Sequence, residues 1–121
     1  MYKISKQFSF SAAHSLKGLS DCHPCSRLHG HNYVVTVHLK SNTLNKNGFV
    51  RDYNELSFVK EYIDAHLEHR NLNDVMQPLN STAENIAKML FDAFHSQFPE
   101  IYAIEVSETP KTSAIYEPES K

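Results

Sequence analysis

Residues 2–14 alternate in polarity: Tyr2, Ile4, Phe8, Phe10, Ala12 and His14 share one parity, and Lys3, Ser5, Gln7, Ser9 and Ser11 hold the other. Successive side chains of a β-strand point to opposite faces, so this pattern predicts a long strand with one buried side. A strand half-buried in this way needs partners, and the rest of the chain supplies them. Tyr33 to Leu39 is rich in β-branched residues and reads as a second strand. Asn47-Gly48 is a turn dipeptide, and Phe49-Val50-Arg51 after it reads as a short third strand. Asp52 then caps a helix whose apolar face is Leu56, Val59, Ile63 and Leu67. Asn71 to Asn80 is polar, contains Pro78, and reads as a loop.

Ser81-Thr82-Ala83-Glu84 fits a capping box, opening a second helix with Ile86, Leu90, Ala93 and Phe94 as its stripe and Pro99 as its stop. Tyr102, Ile104, Val106 and Glu108 line one side of another long strand, and Ser113 to Tyr116 forms a last short one. Strands grouped around a helix pair predict an α+β domain, with the helices packed on one face of an antiparallel sheet. The 121 residues make one domain over residues 1–121, with no linker, repeat or low-complexity stretch.

Charge narrows the function. Twelve Lys and Arg against fourteen Asp and Glu leave a net charge of −2, without the basic face that a nucleic-acid grip requires. No apolar run approaches the roughly 18 residues of a membrane span, and Met1 to Lys6 shows no apolar leader core. A cytoplasmic protein is expected.

Eight histidines are the oddity of the composition, and four of them fall between His14 and His31. His29-Gly30-His31 stands at the entry to the second strand, so both imidazoles project to one face roughly 7 Å apart. His14 ends the first strand on its apolar parity. If the two strands pair antiparallel, the far end of one meets the start of the other and three imidazoles converge. Three histidines around one ion leave a fourth position open, the catalytic pattern for zinc.

Cys22 and Cys25 are three residues apart and are the only cysteines. Three readings of them stand side by side. A dithiol redox site needs a thiol at a helix N-terminus, and little room for a helix remains before the next strand. A closed structural zinc from Cys22, Cys25, His29 and His31 requires much tighter spacing than usual. The third reading leaves Cys25 beside the metal and outside its ligand shell, where a nearby cation lowers the thiol pKa and readies it as a base or nucleophile.

Cys25-Ser26-Arg27-Leu28-His29-Gly30-His31 resembles the C-x-x-x-H-G-H signature of the 6-pyruvoyltetrahydropterin synthase family, with the short cysteine-to-histidine gap of its bacterial 6-carboxytetrahydropterin synthase branch. Further matches run in order along nearly the whole chain. They are Phe10 to His14, Gly48 to Tyr53 with Leu56, Glu68 to Asp74, Thr82 to Asn85, and Val106 to Thr109 with Tyr116. The resemblance implies a tunnelling fold, built on a four-stranded antiparallel sheet with two helices on one face. It further implies trimers stacked into a homohexamer, with active sites between subunits. The implied reaction is zinc-dependent: 7,8-dihydroneopterin triphosphate and water give 6-carboxytetrahydropterin, acetaldehyde and triphosphate, a step towards queuosine.

Carried onto this chain, the resemblance places zinc on His14, His29 and His31, makes Cys25 the proton-abstracting base and His69 the second acid/base, and has Glu108 anchor the pterin edge. A carboxylate accepts two N–H bonds from an amino-pyrimidinone edge, and thiolate and imidazole pKa values suit proton transfer near neutral pH. One position departs from the family, since Glu68 precedes His69 where the family has Asp. Arg27, Arg70 and Lys111 are the basic residues considered for the triphosphate, and read as solvated side chains. His23, His38, His66 and His95 are read as structural or surface residues, and Cys22 has no implied role. Another pterin side-chain reaction on the same fold, pyruvoyl-forming or aldolase-type, is the alternative.

Overall fold

The computed structural model describes residues 1–120. Strand β1 (Tyr2–His14) pairs antiparallel along its whole length with β2 (His29–Ser41), and β2 pairs with β3 (Ile101–Thr109), which pairs with β4 (Thr112–Tyr116). The four strands lie in the order β1-β2-β3-β4, all antiparallel. Helices α1 (Ser57–His66), α2 (Leu72–Met76) and α3 (Ala83–Phe94) fall between β2 and β3 in the chain. The expected α+β architecture is therefore observed, with α1 and α2 against β1, and α3 against β3 and β4.

The alternating parity of β1 does what it predicts. Phe8, Phe10 and Ala12 face the core with Tyr33, Val35, Val37 and Leu39 of β2, while Ser5, Gln7 and Ser9 look outward. Leu56, Val59, Ile63 and Leu67 are fully buried, as are Ile86 and Leu90 of α3. Each such side chain contributes roughly 1.5–3 kcal/mol by leaving water. No helix among the described residues is long and apolar enough to cross a membrane.

Four local expectations need correction. Phe49-Val50-Arg51 is not a strand. The Phe49 carbonyl accepts from Asn45 N–H at 2.8 Å, closing a loop around Gly48, whose φ of +85° favours glycine. Asp52 caps a 3-10 turn (Tyr53–Leu56) that precedes α1, accepting Asn54 N–H at 2.9 Å. The segment read as a loop contains α2, capped by the Asn71 side chain. The α3 cap is Thr82, whose hydroxyl accepts Asn85 N–H at 3.2 Å, so the capping residue lies one position beyond Ser81.

Tyr102 is also displaced. The β2–β3 register pairs His38 with Ala103 and Leu39 with Ile101, leaving Tyr102 as the extra residue of a bulge. Its ring lies against His38 and the Lys40 ammonium on the outer face, away from Ile104 and Val106. Replacing the capping residue, Thr82→Ala, is expected to lower the unfolding free energy by about 1 kcal/mol, read from the urea midpoint.

Candidate metal centre and active site

The β1–β2 register sets His14 opposite His29 and Ala12 opposite His31, all on the core-facing side of the sheet. Their rings meet edge to face with centroids 4.6–5.1 Å apart, and one ligand nitrogen from each lies within 4.8 Å of the others. The convergence expected from antiparallel pairing is thus present. Cys22 and Cys25 are free thiols, and neither belongs to this ligand cluster.

Two of the imidazoles are held through the nitrogen that faces away from the cluster. A carbonyl can only accept, so His14 Nδ1–H donates to Ser81 O at 2.8 Å, with Ser81 Oγ also 3.1 Å away. His29 Nδ1–H likewise donates to Arg27 O at 2.7 Å. Both bonds leave Nε2 with its lone pair. Nε2 of His14 and Nε2 of His31 are buried without a hydrogen-bond partner. Orphaned nitrogens of that kind cost about 1–3 kcal/mol each, and they suit a cation that accepts three lone pairs at one point. The donor set fits a divalent ion such as zinc.

Glu108 enters from β3, its Oε2 standing 3.5 Å from His31 Nε2, within ion-pair reach and outside hydrogen-bond geometry. Beneath the cluster, Tyr33 packs its ring against His14 and His31 and stacks on Phe10. Its hydroxyl is buried and unpartnered, and burial, with Glu108 adding to it, pushes the phenol well above the usual tyrosine range.

Cys25 lies in a 3-10 turn (Pro24–Ser26) and is half-buried. Its N–H donates to His23 Nδ1 at 3.1 Å, and its carbonyl accepts Leu16 N–H at 2.7 Å. Arg27, which caps that turn, is the residue that grips His29, so the cysteine turn is tied to a ring of the cluster. His23 therefore has a structural job, as expected. His38 pairs with Glu105 at 2.9 Å on the outer face, while His66 and His95 pack on Tyr62 and Phe91.

His69 sits on a strap, residues 68–71, that runs along the free edge of β1. His69 N–H donates to Ser11 O at 2.7 Å, Ala13 N–H donates to Arg70 O at 3.0 Å, and Asn71 bridges Ala13 in parallel. His69 is in the left-handed region (φ 56°) and its side chain is 83% exposed. It lines a cleft of about 550 Å³ together with His31, Leu28, Arg70 and Asn71. The cleft thus brings His69 and one imidazole of the cluster together, but its lining does not include Cys25 or Glu108. Glu68 Oε1 accepts Ser11 N–H at 3.1 Å and stands 3.5 Å from His69 Nδ1. Arg70 lines the cleft while donating to Ala65 O at 3.0 Å, and Arg27 and Lys111 are exposed.

Sequence reasoning missed Ser81 and Asn73, which hold the His14 ring and the peptide after it. Their one signal was the density of asparagine between Asn71 and Asn85, which reads equally well as a plain loop. Burial holds the His14 imidazole below the usual histidine range, with the Ser81 carbonyl and Glu108 opposing and His29 and His31 reinforcing. A histidine with a depressed folded-state pKa contributes stability above its unfolded value, near 6.5, and loses it as pH falls through the folded value. The metal-free protein should therefore lose unfolding free energy as pH drops below about 6.5. A His14→Leu variant should show a shallower decline in the same denaturant titration.

The comparisons with known proteins agree with this geometry. A family model described as 6-pyruvoyl tetrahydropterin synthase matches residues 3–119. A 6-carboxy-5,6,7,8-tetrahydropterin synthase of Synechocystis is 34% identical over 96% of this chain and 93% of its own length. A dihydroneopterin monophosphate aldolase of Pyrococcus furiosus is 33% identical over 80% of this chain and 78% of its own. The 6-pyruvoyl tetrahydropterin synthase structure of Caenorhabditis elegans superposes with a TM-score of 0.85 at 30% identity, covering 98% of this chain and 96% of that one. Pairing, burial and sequence lead to one conclusion: this chain has the tunnelling fold and belongs to the 6-pyruvoyl tetrahydropterin synthase family of enzymes.

Proposed function

We propose that the protein is a zinc-dependent 6-carboxytetrahydropterin synthase, converting 7,8-dihydroneopterin triphosphate and water to 6-carboxy-5,6,7,8-tetrahydropterin, acetaldehyde and triphosphate. The observation that carries this reading is the cluster of His14, His29 and His31, with two buried, unpartnered Nε2 atoms beside a cleft that His69 also lines. The short gap from Cys25 to His29 and the similarity to the Synechocystis synthase favour the carboxy-forming reaction within the family.

His14, His29 and His31 would hold the zinc, which would supply Lewis-acid polarisation of a hydroxyl-bearing side chain and make its C–H bonds more acidic. Cys25 is the base that takes a carbon-bound proton of that side chain. Its turn is anchored through Arg27 to His29, which ties the thiol's segment to a ring of the cluster. His69, exposed and lining the cleft, exchanges a proton with the substrate as the second acid/base. Glu108 accepts the N–H groups of the pterin's amino-pyrimidinone edge and fixes the ring relative to the imidazoles. In this reading the enzyme works in the cytoplasm, in queuosine synthesis, as a homohexamer that closes each site between subunits.

Incubation with 7,8-dihydroneopterin triphosphate should release acetaldehyde and a carboxylated tetrahydropterin, identified by mass spectrometry. A pyruvoyl product, or cleavage to a hydroxymethylpterin as an aldolase would give, assigns the chain to another reaction of the family. Cys25→Ala should keep zinc and the folded state while turnover falls by about 10²–10⁴-fold, and Cys22→Ala should change neither. Loss of zinc in both cysteine variants would instead make them metal ligands.

A further inference from the structure

The sheet ladder of β1 ends at His14, and side-chain carboxamides take over the peptide groups of Ser15 and Lys17. Asn73 Oδ1 accepts Ser15 N–H at 2.8 Å while Asn73 Nδ2 donates to Ser15 O at 2.7 Å. Two residues on, Asn80 Oδ1 accepts Lys17 N–H at 2.7 Å and Asn80 Nδ2 donates to Lys17 O at 3.0 Å. Each carboxamide offers one donor and one acceptor and so imitates the peptide group of a neighbouring strand. Leu16, between them, donates its N–H to Cys25 O on the cysteine turn. Both clamps are themselves anchored: Asn71 Oδ1 accepts Asn73 N–H at 3.0 Å, and Asn85 Nδ2 of α3 donates to Asn80 O at 3.0 Å.

Ser81 follows the second clamp and is fully buried. Its carbonyl and hydroxyl both face His14 Nδ1, and its hydroxyl is 3.5 Å from Asn73 Oδ1, at the long limit of a hydrogen bond. His14 is thus held twice, through its own ring by Ser81 and through the peptide after it by Asn73. His29 has one comparable bond, from a backbone carbonyl in an exposed turn.

We infer that Asn73 and Ser81 are positioning residues for the metal ligand His14, fixing it as the Nδ1–H tautomer with Nε2 directed at the ion. The inference rests on the reading that a metal sits among His14, His29 and His31. Partners of this kind set the orientation and basicity of a ligating imidazole, and their loss weakens metal binding without removing a ligand. Asn80 is the matched control. It makes the same two bonds with the same kind of side chain, but to Lys17, three residues past His14, and its carboxamide is not the one beside the Ser81 hydroxyl.

The test measures zinc affinity by chelator competition on wild type, Asn73→Ala, Ser81→Ala and Asn80→Ala, together with the His14 ring tautomer by nitrogen NMR of the metal-free protein. Asn73→Ala is expected to weaken zinc binding about 10–100-fold and to mix the His14 tautomers. Ser81→Ala, which keeps the carbonyl, should weaken binding less, and Asn80→Ala should leave affinity and tautomer unchanged. Asn73→Asp retains the Oδ1 acceptor and should recover part of the loss. Wild-type affinity in Asn73→Ala, an equal loss in Asn80→Ala, or a wild-type His14 protonated at Nε2 overturns the inference while the metal reading stands. The last of these decides even if Asn73→Ala does not fold. Wild-type protein that binds zinc no better than His14→Ala removes the metal reading and the inference together.

Discussion

Everything at the site depends on one register, the pairing of β1 with β2 that sets His14 across from His29 and Ala12 across from His31. Side chains alternate with a period of two, so a slip of one residue would turn every core-facing group of β1 outward. Phe8 and Phe10 lock the register from the middle of the strand, packed with Val35 and Tyr33 in the core. The apolar middle of β1 thereby positions its histidine-bearing end. A change at Phe10 would act on His14 without touching it. Helix-borne ligands would lack this coupling, because a sheet register is shared by every pair along the strand.

That arrangement buries polar atoms that nothing in the described chain satisfies. Nε2 of His14, Nε2 of His31 and the Tyr33 hydroxyl lie within one small volume, close to the Glu108 carboxylate. Each unpartnered group opposes folding by about 1–3 kcal/mol, so the core formed by the helices and the long strands carries the site. A cation among the imidazoles offsets part of that cost, because binding free energy adds to folding free energy when the unfolded chain has no formed site. With a metal bound there, loading and stability would be one linked quantity.

What could be read in the sequence follows the periodicities. The strands β1 and β2, the buried stripe from Leu56 to Leu67 and the stripe of α3 were legible because each repeats a pattern over several turns or pairs. The histidine cluster was legible for the same reason, since parity and antiparallel pairing place all three rings on one face. The misses are short, local events. Tyr102 leaves its face because one extra residue bulges out of β3, and parity counting has no means of registering an insertion. The helix α2 is five residues long, too short to show a repeat. Ser81 was assigned to a cap because capping a helix and holding an imidazole use the same hydroxyl chemistry, and the two differ only in which donor lies nearby.

Glu68 shows how such a local choice is decided by reach. The strap beside β1 uses Ser11 O and Ala13 N–H for its backbone bonds, which leaves Ser11 N–H on the strand edge without a peptide partner. The Glu68 carboxylate takes that donor, and the same oxygen stands 3.5 Å from His69 Nδ1, too long for a strong hydrogen bond. An aspartate, shorter by one methylene, would have less reach for serving both groups. The longer side chain secures the strap first and leaves the imidazole loosely attended. What orients His69 is then mainly its backbone, held at φ 56° by bonds on either side of it. Histidine tolerates that left-handed conformation better than most residues, though at a cost of about 1 kcal/mol or more. The exposed imidazole is aimed by the strap it stands on, and the edge of β1 controls its direction more than the Glu68 carboxylate does.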